Sequence, residues 1–219
     1  MPARASIAAV GLAMVAAAEP RQAGGQVTVT PSVFVAYVEH QVDIGFGSEL
    51  TSGPVLGANV AVSPTRWTEV TISGYQGSLT PASPNVDTRR MADLELGGSI
   101  LATPVLALQV GLRAQSYTTT VGRQQWLSML VGGQYAPVIF EGVGRAVMRV
   151  GLLPVVSVSG LPTPTFGATG SAGFEFLRGP ITGSFLFSLE RYNFPYANGY
   201  ARAEQIELLS VTLGVKLPR

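Results

Sequence analysis

The sequence predicts an all-β chain: a closed, antiparallel, up-and-down transmembrane β-barrel of about ten strands. Three observations carry this. The first is a period of two, cleanest near the C-terminus, where Leu209, Val211, Leu213, Val215 and Leu217 are aliphatic and Ser210, Thr212, Gly214 and Lys216 between them are small or polar. Successive side chains of a strand point to opposite faces, so this stretch has one greasy and one wet face. The second is charge: only 12% of residues are charged while 47% are hydrophobic, where soluble domains carry about 25% charged residues. The third is rhythm, because short connections alternate with longer ones, as tight turns on one membrane side and loops on the other require.

The same alternation places the remaining strands. In 27–39, Val27, Val29, Val33, Val35 and Tyr37 oppose Thr28, Thr30 and Ser32, with Pro31 tolerable only near a strand end or bulge. In 55–63, Leu56, Ala58, Val60 and Val62 oppose Gly57, Asn59 and Ala61; in 67–75, Val70 and Ile72 oppose Glu69, Thr71 and Ser73. Segment 91–102 sets Ala92, Leu94, Leu96 and Ile100 against Asp93, Glu95, Gly97 and Ser99, and 106–117 sets Leu106, Leu108, Val110 and Leu112 against Gln109, Gly111, Arg113 and Gln115. In 127–135, Leu127, Met129 and Val131 alternate with Ser128, Gly132 and Gln134; in 144–156, Ala146, Met148, Val150 and Leu152 alternate with Arg145, Arg149 and Gly151. Phe166, Ala168, Ala172, Phe174 and Phe176 define 166–177, and Ile181, Phe185, Phe187 and Leu189 define 181–192; the last strand is 208–217. Short connections fall at 64–66, 103–105, 136–141 and 178–180, longer ones at 40–54, 76–90, 118–126, 157–165 and 193–203.

The N-terminus has the form of a secretory signal. Arg4 precedes an apolar run over 5–15, and Ala16-Ala17-Ala18 is a small-residue cleavage site. The expected organisation is a signal peptide over 1–18, a lead-in over 19–26 containing Pro20 and Gly24-Gly25, and a barrel over 27–217. Beyond the signal no run of eighteen apolar residues follows, which argues against membrane helices.

Alternation alone fits a soluble β-domain as well as a membrane barrel. The polar faces decide, because they hold Gly, Ser, Thr and Gln where a soluble surface carries many Lys and Glu; Lys216 is the sole lysine. Tyr37, Tyr75, Tyr117, Trp126, Tyr192, Tyr196 and Tyr200 fall near one rim, where interfacial girdles sit, although strand parity turns several of them inward.

Parity also defines the lumen. The inward set contains Glu69, Asp93, Glu95, Glu175 and Glu190 with Arg113, Arg145, Arg149 and Lys216, which is close to charge balance. Charges in a confined interior are costly unless paired, so an ion-pair network filling the lumen is expected. A three-residue turn at Thr103-Pro104-Val105 sets opposed residue numbers on the flanking strands to a constant sum and places Glu95 across from Arg113, as an expected pair.

Catalytic chemistry finds little support. There is one histidine and no cysteine, so neither a metal site nor a cofactor is expected. His40 lies near Glu39, Asp43, Ser48 and Ser52, but nothing in the spacing enforces a nucleophile–base contact, and a solvated rim histidine is expected. Gly97-Gly98 and Gly132-Gly133 lie inside strands, match no phosphate loop, and mark bends or close packing. The formal net charge of +1 with no basic cluster argues against nucleic acid.

In this pattern the chain resembles the small bacterial outer-membrane β-barrel proteins, the group that includes the membrane domain of OmpA. Thr212, Gly214 and Leu217 match the start of the C-terminal signal that the barrel assembly machinery reads in such proteins, while Pro218-Arg219 stands where an aromatic terminus is usual. The resemblance implies a location in the cell outer membrane, with outer-membrane lipid and the assembly machinery as partners, and a monomer. The function expected is non-enzymatic, structural or concerned with surface interaction through the loops. The alternatives are a narrow channel for small solutes and a hydrolase at the rim around His40.

Overall fold

A computed structural model of the chain describes residues 27–218 apart from 46, 85 and 197–199. The expected signal peptide, 1–18, and lead-in, 19–26, lie outside the described residues. The strands are β1 (Thr28–Ile44), β2 (Gly47–Thr65), β3 (Thr68–Pro81), β4 (Arg89–Leu101), β5 (Leu106–Thr118), β6 (Arg123–Tyr135), β7 (Val138–Phe140), β8 (Gly144–Val158), β9 (Phe166–Arg178), β10 (Ile181–Asn193), β11 (Arg202–Val215) and β12 (Leu217–Pro218). Ten of these form the wall, each antiparallel to its neighbours, and β11 pairs β1 with Val35 opposite Val211 to close it. The two short strands are accessory: β7 folds onto β8 within a turn, and β12 continues β11 against the start of β1.

Prolines sit where the ladder can spare a donor. The β11 ladder on β1 ends at Ser32 opposite Gly214 and resumes through β12 at Val29 opposite Leu217, so Pro31 falls in the break. On β8 the register against β6 shifts between Met129–Val155 and Val131–Leu152, a bulge around Pro154. That extra residue reverses parity: Leu153 and Val156 are both buried while Val155 is exposed. A tight turn joins β1 to β2 through Gly45, whose φ of 60° favours glycine.

The strands reach further than the aliphatic alternation predicts, chiefly toward the long-loop end, while β2 also runs on to Thr65 and β9 to Arg178 at the short turns. Residues 40–54, expected to be a loop, complete β1 and β2, with His40 paired to Thr51 and Ile44 to Gly47. Similarly β3 extends to Pro81, β6 begins at Arg123 and β11 begins at Arg202. The reason is that the code inverts partway up the wall. In the lower storey Val35, Leu96, Leu112, Val150, Phe185 and Val211 face out and are exposed. In the upper storey it is the inward side chains that are apolar: Val38, Leu79, Met91, Tyr117, Trp126, Val156, Tyr192 and Ile206 pack into one buried cluster. Outward positions there are mostly polar, as in Glu39, Arg90 and Gln125, with Leu50 an exposed exception. The chain is thus a membrane barrel below and a water-facing barrel with its own core above.

The boundary is sharp on β3 to β6. Outward rows across these strands run Gly74-Leu94-Ala114-Leu127, then Gln76-Ala92-Ser116-Gln125, then Ser78-Arg90-Thr118-Arg123. From Leu106 to Ala114 the strand climbs about 27 Å, or about 21 Å along the membrane normal at a ~40° tilt, near the ~25 Å apolar band of such barrels.

Candidate functional site

The interior is the candidate site, and it is built in three tiers. Lowest are Arg145, Arg149 and Glu175. Arg145 lies directly opposite Glu175 on the β8–β9 ladder, and its Nη2 approaches Glu175 Oε2 at 2.6 Å while Arg149 Nη2 reaches Oε1 at 3.2 Å. Arg149 Nε also donates to Gln134 Oε1 at 2.7 Å, the residue facing it on β6. One carboxylate therefore joins two guanidinium groups, and the small side chains around them leave room for the long arginines.

The middle tier centres on Arg113. Its Nε donates to Asp93 Oδ2 at 2.6 Å and its Nη2 to the Tyr75 hydroxyl at 2.9 Å, while Nη1 bonds Glu190 Oε1 from across the lumen. Tyr192 donates to the other Glu190 oxygen at 3.0 Å. Register places Glu95 opposite Arg113 as expected, but the expected pair does not form. Arg113 leans along the diagonal to Asp93, where burial is deeper and Glu190 and Tyr75 share its donors. Glu95 instead lies along Gly97 and Gly111: a Cβ at either would come within 3.8 and 3.7 Å of its Oε1.

Two other expected members of the network stand apart. Glu69 is at the short-turn mouth and accepts a 3.4 Å hydrogen bond from Ser63, and Lys216 is exposed at the end of β11. Neither forms an ion pair among the described residues. Both follow inward parity, but at the mouth water solvates the charge and no partner is needed.

The upper tier is apolar and aromatic, and it corrects two expectations. Tyr75, Tyr117, Trp126 and Tyr192 do not belong to an interfacial girdle; they are inside, with Trp126 5.0 Å from Tyr192, 5.9 Å from Phe194 and 6.5 Å from Tyr117 between ring centres. Tyr37, Tyr196 and Tyr200 are exposed. His40 is not a solvated rim residue either. It is 1% exposed, bonds Glu204 Oε2 through Nε2 at 2.9 Å, and stacks on Tyr117 at 4.6 Å and 25°. Arg202 donates to the second Glu204 oxygen at 2.6 Å, and Arg89, held by Glu49 at 2.7 Å, lies 3.4 Å from His40 Nδ1. Both ring nitrogens are engaged. Ser48 and Ser52 share the outward parity of the neighbouring strand, on the face opposite His40, and Ser52 meets the exposed Tyr37 hydroxyl at 2.8 Å.

Sequence reasoning missed Glu49, Arg89 and Arg202 because they lie in the segments expected as loops, 40–54, 76–90 and 193–203, and Glu204 because it lies between the last of these and the expected strand 208–217. The signal was present as inverted alternation: Val38-x-His40-x-Val42 with Glu39, Gln41 and Asp43 between, and Glu204-x-Ile206 flanked by Gln205 and Glu207. Among the described residues no acidic or histidine cluster has the makings of a metal site.

No protein-family model matches the chain, and no curated protein matches it in sequence. In structure it is similar to the outer membrane protease OmpT from Escherichia coli, with a TM-score of 0.53 at 10% identity, over 89% of this chain and 97% of that one. The translocator domain of the autotransporter NalP from Neisseria meningitidis gives a TM-score of 0.44 at 14% identity, over 89% of this chain and 88% of that one. An outer membrane channel from Pseudomonas putida F1 gives 0.43 at 9% identity, over 90% and 99%. The first likeness shows the fold, and the fold with its aliphatic exterior makes the chain an outer-membrane β-barrel.

Proposed function

We propose that this protein is a closed barrel that acts through the part of its wall standing above the membrane, in a structural or surface-interaction role, and not by conducting solutes. One observation carries this: the upper lumen is occupied by a packed core that includes Met91, Tyr117, Trp126, Tyr192 and Phe194, all buried. Each such side chain withdrawn from water contributes about 1.5 to 3 kcal/mol, so the plug is a stable part of the fold. Below it the Arg113 and Glu175 clusters narrow the passage further.

A narrow channel is the second reading, since a polar lower lumen leads up to the plug. A hydrolase is the third, and the similarity in fold to a protease brings it forward. Against hydrolysis stands His40, whose ring nitrogens face Glu204 and Arg89, while the neighbouring Thr51 hydroxyl is turned to the His40 backbone carbonyl. The proposal extends to a monomer delivered by the barrel assembly machinery after cleavage of a signal peptide. Planar-bilayer recording of refolded protein tests it: wild type gives no unitary steps, while Trp126→Ala/Tyr192→Ala opens them. Regular steps from wild type would overturn the closed lumen, and peptide hydrolysis abolished by His40→Ala would overturn the non-enzymatic reading.

A further inference from the structure

Just above the apolar band on β3 to β6, the outer wall carries a basic row that neither barrel closure nor the interior core uses. Arg90 on β4 and Arg123 on β6 both flank Thr118 of β5, and Ser78 of β3 stands beside Arg90. With Gln76 and Ser116 from the row beneath, Ser78, Arg90 and Thr118 line a cup of about 390 Å³. Neighbouring strands are about 4.8 Å apart, which sets the two arginine Cα atoms about 10 Å from each other. Two long side chains on that spacing can close on one anion.

Among the described residues the charge of this row is not taken up by an ion pair, and Asp87, three residues before Arg90, is bonded instead by the Thr120 hydroxyl. Arg89, adjacent in sequence but facing inward, is taken by Glu49 at 2.7 Å. Among the described residues, no ion pair involves Arg90 or Arg123, and both are exposed. Their row neighbours Ser78 and Thr118 are neutral hydroxyls. On the far side of the barrel the outer wall is mixed in sign, with Glu39 directly opposite Glu207 and the exposed Arg191 in the next row, where it donates to Gln205 at 3.1 Å.

The level of the row identifies the ligand. Thr118 lies four residues beyond Ala114, about 10 Å above the last aliphatic row after allowing for tilt; a ~30 Å hydrocarbon core ends about 5 Å above that row and the headgroup layer occupies roughly the next 5 to 7 Å, so the row stands within the headgroups. A guanidinium offers a planar fork of donors that matches phosphate oxygens, and hydroxyl and amide neighbours complete such a contact. We propose that Arg90 and Arg123 bind the phosphate of an anionic membrane lipid in the leaflet at the long-loop end. This rests on the chain being a membrane barrel.

The test uses refolded protein in nanodiscs of phosphatidylcholine doped with phosphatidylglycerol, released into detergent and weighed by native mass spectrometry. Wild type should retain phosphatidylglycerol in preference to phosphatidylcholine, and Arg90→Gln/Arg123→Gln should lower that enrichment about tenfold. Arg90→Lys/Arg123→Lys keeps the charge but loses the fork, so it should retain part of the preference. Arg178→Gln, at the opposite end, should leave it unchanged. Enrichment equal in wild type and the double glutamine variant overturns the site. Displacement of the lipid by inorganic phosphate at equal concentration overturns a lipid ligand, and lateral dimers cross-linked through this row overturn it in favour of a second copy of the chain. Migration on gels before and after boiling reports the folded barrel separately: its loss in wild type would overturn the membrane barrel, whereas retained migration without lipid preference overturns only the site.

Discussion

Replacing Arg113 with glutamine strips the lumen of its most connected cation. Asp93, with 2% of its side chain exposed, and Glu190, with 14%, would both lose their counter-charge, and the Tyr75 hydroxyl would lose a donor. Removing one partner of a buried pair costs about 3 to 5 kcal/mol, so the expected loss is about 4 kcal/mol. Asp93→Asn keeps the volume and gives up one charge-assisted bond, an expected loss of about 2 kcal/mol. Glu95→Gln, opposite Arg113 in the ladder but without a hydrogen bond to it, should cost less than about 1 kcal/mol. A double-mutant cycle sharpens the contrast: Asp93 with Arg113 should show a coupling of about 2 kcal/mol, and Glu95 with Arg113 under about 0.5 kcal/mol. Urea unfolding of the barrel in phospholipid vesicles, followed by the fluorescence of the buried Trp126, measures the wild type and all five variants. Glu95→Gln losing as much as Asp93→Asn, or additive losses for Asp93 and Arg113, would refute the diagonal pairing.

The paired glycines make a second test. A Cβ at Gly132 would meet the Val150 carbonyl oxygen at 2.4 Å, whereas at Gly133 the nearest atom is 3.6 Å away; Gly132→Ala should cost about 2 kcal/mol and Gly133→Ala under about 0.5 kcal/mol in the same unfolding assay. Glu204→Gln weakens the bonds to His40 and Arg202 at a carboxylate that is itself fully buried, and should cost about 3 kcal/mol, with hydrogen exchange rising first in the upper halves of β1 and β11. Trp126→Ala alone should lower stability by about 3 to 5 kcal/mol through the cavity left in the upper core. Intact-mass measurement of exported protein should find Glu19 at or near the N-terminus.

Which residues face in and which face out was legible in the sequence almost throughout, because side-chain direction in a strand follows from parity alone. The all-β class, the lower storey of the wall, the inward set of charges and the opposition of Glu95 and Arg113 all follow from that period and from one short turn. The upper storey was not legible by the same rule. Aliphatic outward faces mark strands only where the outside is lipid; once the wall rises into water, Gln41, Asp43 and Gln125 are the outward residues, and a pattern read for greasy exteriors takes them for loop. The role of each inward group also needed the closed barrel. Arg113 meets Glu190 and His40 meets Glu204 because the lumen brings together strands distant in sequence, and Pro154 turns Val156 inward by a one-residue bulge that parity cannot foresee. Parity gives a side chain its face. Its partner is set by the circumference of the barrel, the depth of burial and the space that neighbouring glycines leave, and those exist only once the sheet has closed on itself.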